Sequence, residues 1–403
     1  MATAKQLALT SSAVLTALVL AGCSGGGGAE QASESPAADG AASEAPAELA
    51  VNEPVVVTYD GGLAVLDGET LEVKNQIPMD GFLRINPAGD EGHVMVSTSE
   101  GFQVLDATRA QLTDVVFPAQ EPGHVVPHGE TTALFADGTG EVTLIDPHDL
   151  SEAEPATEKF TTPSPHHGVA VVLEDGTRVL SEGTEEGRTG AVALDANGQQ
   201  VASSSDCPGL HGETVVADET VVLGCENGPL VFKAGEFTKI TAPDAYARSG
   251  NLRGSAESPI ALGDYKVDPD AELERPDQFA LIDTTTNQLR VVPLPEGVSY
   301  SFRSLAMGPH AEPMILGTDG KLHVFDAGTG DVVRSIDVVT PWTEPDEWQQ
   351  PMPTVFVRGH DVYVTDPASS EIHVVDVETG EVTQTAQLPV TPNELSGPVG
   401  HEH

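Results

Sequence analysis

From Val51 onward the apolar residues fall in short runs of Val, Leu and Ile, punctuated by Gly, Asp and Asn. Stretches with the 3.6-residue period of a helix are nearly absent, so the pattern predicts strands joined by tight turns. One element recurs, a strand that ends in two apolar residues and then Asp. It occurs as "AVLD" at Asp67, "QVLD" at Asp106, "TLID" at Asp146, "VALD" at Asp195, "ALID" at Asp283, "HVFD" at Asp326 and "HVVD" at Asp376. Between Asp195 and Asp283 its counterpart is "LVFK", with Lys233 in place of the acid.

A period near 40 to 50 residues, with several strands in each unit, predicts β-propeller blades. Paired-strand signals such as "VVVTYDGGLAVLDGETLEV" carry the two-residue turns that hairpins require. The expected fold is all-β, a single β-propeller of about eight blades over 51–390, with seven as the alternative. One blade cannot bury its two faces alone, whereas a closed ring buries both. Aromatic residues are 4% of the chain, so the core must come mainly from stacked β-branched faces.

The ends of the chain read differently. Lys5 precedes the apolar run "LALTSSAVLTALVLAGC", the pattern of an export signal and too short for a comfortable span of about 20 residues. The run ends in "LAGC", which resembles the lipobox of bacterial lipoproteins, and this implies residues 1–22 as signal peptide and Cys23 as the lipidated first residue. Residues 23–50 are small, polar and acidic, the composition of a flexible tether. Residues 391–403 are expected to form a mobile tail whose "HEH", His401 to His403, could hold metal transiently or have no role. The formal charge of -45 repels nucleic acid and anionic headgroups, which excludes nucleic-acid binding.

Candidate chemistry lies in the histidines that precede blade strands. Aligned on the strand that follows, His128-Gly129, His167-Gly168, His211-Gly212, Arg253-Gly254 and His310-Ala311 occupy one equivalent position. Equivalent positions in a ring share one rim and point to one axis, where neutral imidazoles suit zinc. The following Gly permits backbone angles that aim the ring inward. His124 and His166 stand beside the same rim, as a fourth ligand or as outer support. Repeat ancestry alone could copy a structural His. However, the units beginning near Val55, Val94 and Thr354 have none and one has Arg, which is too uneven for a purely structural requirement. Copper and nickel also suit imidazole-rich sites. His148, His323, His360 and His373 are expected to be surface residues.

Cys207 and Cys225 flank His211. Outside the cytoplasm they are expected to form a disulfide closing a loop of about 19 residues, worth roughly 3 kcal/mol. Thiolate ligation of zinc is the other reading, but the pair lacks metal-ligand spacing.

With these residues in view, the blade region resembles the AztD-type zinc metallochaperones, most specifically through "CPGLHGE" and "HHGVAV", supported by "GPHAEP". The resemblance implies an exported propeller that binds zinc and hands it to the solute-binding protein of a zinc ABC importer. His128, His167, His211 and His310 would be the ligands, with His124 and His166 in reserve. Such chaperones can carry a His- and Asp-bearing N-terminal motif, whereas the tether here contains no His. A quinoprotein-type propeller would explain "DAGTGDVV" and "DVETGEVT", but its matching Trp is missing. A lactonase-like propeller would need a carboxylate and Asn cluster where imidazoles stand, and a ligand-free scaffold needs no rim histidines. No nucleophile, nucleotide loop or "HExxH" is evident, so catalysis is not expected.

Overall fold

The recurring runs pair as antiparallel strands. A computed structural model of the chain, which describes residues 50–400, arranges them as eight four-stranded sheets, the blades of one propeller. The leader, Cys23, the tether to residue 49 and the terminal "HEH" lie outside the described residues. Among the described residues one short 3-10 helix, Pro147–Ser151, interrupts the strands.

Blade 1 draws on both ends of the chain. Val55–Tyr59, Gly62–Leu66 and Val73–Pro78 form its outer three strands, and Leu395–Ser396 is the innermost, with Val56 opposite Ser396 and Val57 opposite Leu395. The segment expected to trail off from residue 391 therefore closes the ring. The inner strands of blades 2 to 8 are Arg84–Pro87, Pro122–His128, Ala170–Val172, Glu213–Val216, Leu252–Ser255, Leu305–Met307 and Val355–Arg358. They line the channel beside one another. Blades 2 to 8 each run from the inner strand outward, so these strands all start at one end of the channel, the entry end. The hairpins that follow them lie at the opposite end.

Side chains alternate across each sheet, and both faces meet a neighbouring blade. In blade 1, Val56, Leu63 and Val65 pack with Ile85, Val94, Val96 and Leu105 of blade 2. Their neighbours Val55, Val57, Ala64 and Leu66 face Tyr363, Ile372 and Val374 of blade 8. Burial on both faces explains unbroken runs such as "VVV", where one-sided strands would alternate. Outer strands are wetter, and Glu381–Gln387 is almost wholly exposed.

The recurring Asp has a local cause. At the last hairpin of a blade its carboxylate accepts backbone N–H groups of the turn. Thr70 N donates to Asp67 at 3.0 Å, Thr285 N to Asp283 at 2.8 Å, Thr329 N to Asp326 at 2.7 Å and Thr379 N to Asp376 at 2.9 Å. Four residues past the Asp, Leu71, Ala110, Asn287, Gly330 and Gly380 all take positive φ, which turns the chain back. Blade 5 needs no Asp, because Ala234 and Gly235, both at positive φ, make a two-residue turn after Lys233.

These bonds set a pH dependence. Burial pushes Asp67 and Asp283 up, but their hydrogen bonds more than reverse it. At Asp326 and Asp376 the turn N–H groups are the leading cause of a lowered value. A carboxylate depressed in the folded state stabilises fully above its unfolded value of about 3.9 and loses that contribution as pH falls through the folded value. Urea midpoints should therefore drop below about pH 4. The drop should be shallower in a variant carrying Asp67→Asn and Asp283→Asn; identical slopes would remove this assignment.

Candidate metal centre

Three histidines from consecutive blades meet in the channel near its entry end. His124 lies within the inner strand of blade 3, and His167 and His211 lie on the loops entering blades 4 and 5. The Nε2 atoms of His124 and His167 are 3.3 Å apart. Ring centroids are 5.0 Å apart for His124 and His167, 5.3 Å for His124 and His211, and 5.0 Å for the stacked pair His167 and His211. One ligand atom from each of the three lies within 4.8 Å of the others.

Each ring is held from behind through Nδ1. His124 bonds Glu213 Oε1 at 2.9 Å, His167 bonds Asp137 Oδ2 at 2.5 Å and His211 bonds the Gly250 carbonyl at 2.6 Å. A carboxylate or carbonyl oxygen accepts, so each Nδ1 donates, and in the neutral ring Nε2 keeps its lone pair. Nε2 lone pairs brought this close repel one another unless a metal ion or a shared proton sits between them. Two ligands at about 2.0–2.1 Å in a tetrahedral zinc site are about 3.3–3.4 Å apart, which the His124–His167 spacing already matches. Oxygen acceptors behind ligating imidazoles are the usual outer support of such sites.

The electrostatics favour a positive charge at this point, whether metal ion or proton. Burial, followed by the charge of neighbouring His124, holds His211 well below its ordinary value, so it stays neutral and able to ligate. At His124 burial works against the charged ring, but the charge and hydrogen bond of Glu213, with Asp137 behind, outweigh it and raise the value. The second oxygen of Glu213, Oε2, is buried without a hydrogen-bond partner among the described residues. A buried carboxylate oxygen without a hydrogen bond beside three imidazoles suits a positive centre, a charge that the nearby Arg253 guanidinium already supplies in part.

Local sequence explains the aim of the rings. Gly212 has φ +83°, and a Cβ there would fall 2.7 Å from the Gly250 carbonyl that holds His211. A Cβ on Gly168 would fall 2.1 Å from the ring of Phe135. Cys207 and Cys225 form a disulfide, both fully buried among Leu210, Leu223, Val169 and Val171. Beside it, His211 N donates to Gly224 O and Gly224 N to Gly212 O, each at 3.0 Å. The staple and these two bonds fasten the His211 loop to the neighbouring strand.

The other predicted residues go elsewhere. His128 ends the blade 3 inner strand and bonds Glu219 Oε1 at 2.8 Å. His310 follows the blade 7 inner strand and bonds Glu378 Oε1 at 2.8 Å. His166 is buried between Ser164 O and Ser181 Oγ and packs edge-on to Phe135. Arg253 donates to the carbonyls of Leu252 and Leu305. The equivalence read from the repeats does not hold, for an identifiable reason. The strand after His167 and His211 is the inner strand, whereas the one after His128 and His310 is the second strand of its blade. Antiparallel pairing reverses direction, so the two sets stand at opposite ends of the channel. His323 and His373, expected at the surface, are buried and bond Ser335 and Thr385 respectively. Sequence reasoning also missed the supports. Glu213 is visible within "HGE", but nothing local marks Asp137 or the Gly250 carbonyl.

Comparison with known proteins agrees with this architecture. No family model matches the chain. It is 25% identical over 319 residues to the zinc chaperone AztD of Citrobacter koseri, covering 74% of this chain and 72% of that protein. The apo structure of Citrobacter koseri AztD superposes with a TM-score of 0.72 at 22% identity, over 85% of this chain and 96% of that one. The Saccharomyces cerevisiae protein Sqt1 shares the fold more distantly, with a TM-score of 0.53 at 13% identity over 85% of this chain and 94% of that one.

Proposed function

We propose that this protein is an exported zinc metallochaperone that holds one ion on His124, His167 and His211 and gives it to the solute-binding protein of a zinc ABC importer. The observation that carries the reading is the convergence of three imidazoles whose Nδ1 atoms are all engaged from behind. The similarity to a protein named as a zinc chaperone supports zinc over other imidazole-seeking metals. A buried disulfide suits an oxidising compartment, consistent with the export signal. Lipid at Cys23 and a flexible acidic tether would keep the propeller at the outer face of the cytoplasmic membrane, where tethering raises the effective concentration of a partner.

Three protein ligands leave a coordination position open on tetrahedral zinc. His167 is the more accessible ligand, its side chain 40% exposed against 19% for His124. An acceptor ligand entering the open position would take over the ion stepwise, with His167 the first to let go. Transfer by exchange within a complex avoids the slow free dissociation of a multi-histidine site.

Stopped-flow transfer from zinc-loaded protein to its cognate solute-binding protein tests this. The rate should rise with acceptor concentration, exceed loss to a dilute chelator, and fall when the acceptor's docking surface is mutated. A rate independent of acceptor and equal to the off-rate would reduce the protein to a zinc store.

A further inference from the structure

At the opposite end of the channel a second group of ligand-type side chains comes together from two blades. His310 lies in the turn after the blade 7 inner strand. His360 lies in the turn between Val355–Arg358 and Asp361–Asp366, and Glu378 in the last hairpin of blade 8. One ligand atom from each lies within 4.8 Å of the others, and all three residues are exposed. His310 Nε2 is 2.8 Å from Glu378 Oε1, and the two imidazole rings are 5.6 Å apart.

We infer that His310, His360 and Glu378 form a second divalent-cation site, one that takes zinc more weakly than the channel histidines and exchanges it faster. Two of the three turns that present these side chains are held by hydrogen bonds, and the His360 turn is closed by the pairing of Arg358 with Asp361. His310 N donates to Glu312 Oε2 at 2.8 Å and Ala311 N to Gly308 O at 2.9 Å. Glu378 N donates to Asp376 Oδ1 at 2.8 Å. The backbone is therefore set, and only exposed side-chain rotamers must adjust to bring the donors to the roughly 3.3–3.4 Å spacing of a tetrahedral ion. Two imidazoles and one carboxylate are a recognised zinc set that leaves room for water or an incoming ligand.

The alternative is a plain ion pair, His310 with Glu378, on an acidic surface. It uses two of the three groups and gives His360 no part. The channel site differs in kind, because its rings are buried deeper and locked from behind. An exposed site with waters in its coordination shell loses and gains metal quickly, which suits first capture from dilute solution. The existence of this site does not depend on the channel reading, although its rank as the weaker of two sites rests on it.

The experiment is zinc titration of the metal-free full chain against a chromophoric chelator at neutral pH. Two other proteins are compared with it, a variant carrying H310A and H360A and a variant carrying H124A, H167A and H211A. Wild type should bind two equivalents, the second at least tenfold more weakly. H310A with H360A should lose the weaker equivalent and keep the tighter one. The channel variant should keep only the weaker, and its cobalt complex should show a visible spectrum distinct from that of the H310A and H360A variant. A second equivalent that survives H310A with H360A, or a channel variant that binds no zinc, would overturn the site and leave an ion pair. Failure of the channel reading looks different, because the channel variant would then retain the tight equivalent.

Discussion

Replacing His124, His167 or His211 with alanine is expected to lower zinc affinity by more than 100-fold while the β circular dichroism spectrum and the metal-free melting temperature stay near wild type. The ligands point into the channel rather than into the packed faces between blades, so their loss removes donors without opening the core. Asp137→Asn and Glu213→Gln should cost less, about 10–100-fold, because they orient the rings without touching the ion. His128→Ala is the discriminating control. Its side chain engages Glu219 at the other end of its strand, so the tight equivalent should stay within a few-fold of wild type. Competition with a chelator of known affinity measures all of these. A loss in H128A equal to that in H124A would restore the rim read from the repeats and defeat the arrangement described above.

Removing the disulfide by Cys207→Ser with Cys225→Ser should separate stability from function. The loop-closure model assigns such a bridge roughly 3 kcal/mol. In a ring of this size that amounts to a shift of several degrees at most. Zinc affinity should fall about tenfold or more, because the His211 loop loses its anchor beside Gly224. Metal-free melting curves and chelator competition on the same sample check both. Zinc affinity unchanged in the double variant would show that the two bonds between His211, Gly212 and Gly224 hold the loop unaided. Free thiols titrated in the exported, non-reduced protein would contradict the pairing itself.

Much of this protein was legible in its sequence because the information is local. Short unbroken apolar runs, buried on both faces, follow from strands sandwiched between blades, and they recur often enough to count the blades. The Asp that ends the third strand is readable because its partners are the next few backbone N–H groups. His167 and His211 were found through His-Gly pairs, whose glycines answer to close contacts with Phe135 and the Gly250 carbonyl. The pairing of Cys207 with Cys225 followed from compartment and the scarcity of cysteine.

What only the tertiary structure decided depends on direction and on residues distant in the chain. First and second strands of a blade share one apolar pattern but run opposite ways, so a shift of one strand moved His128 and His310 to the wrong end of the channel. Leu395–Ser396 has too few residues to show a period and becomes a strand only by pairing with Val56 and Val57. Asp137 and Glu213 become supports only when the ring brings them behind His167 and His124, 30 and 89 residues away. The order of blades was therefore written along the chain. Which histidines share an ion was set by closure, because hydrogen bonds across blades connect groups that no local pattern links.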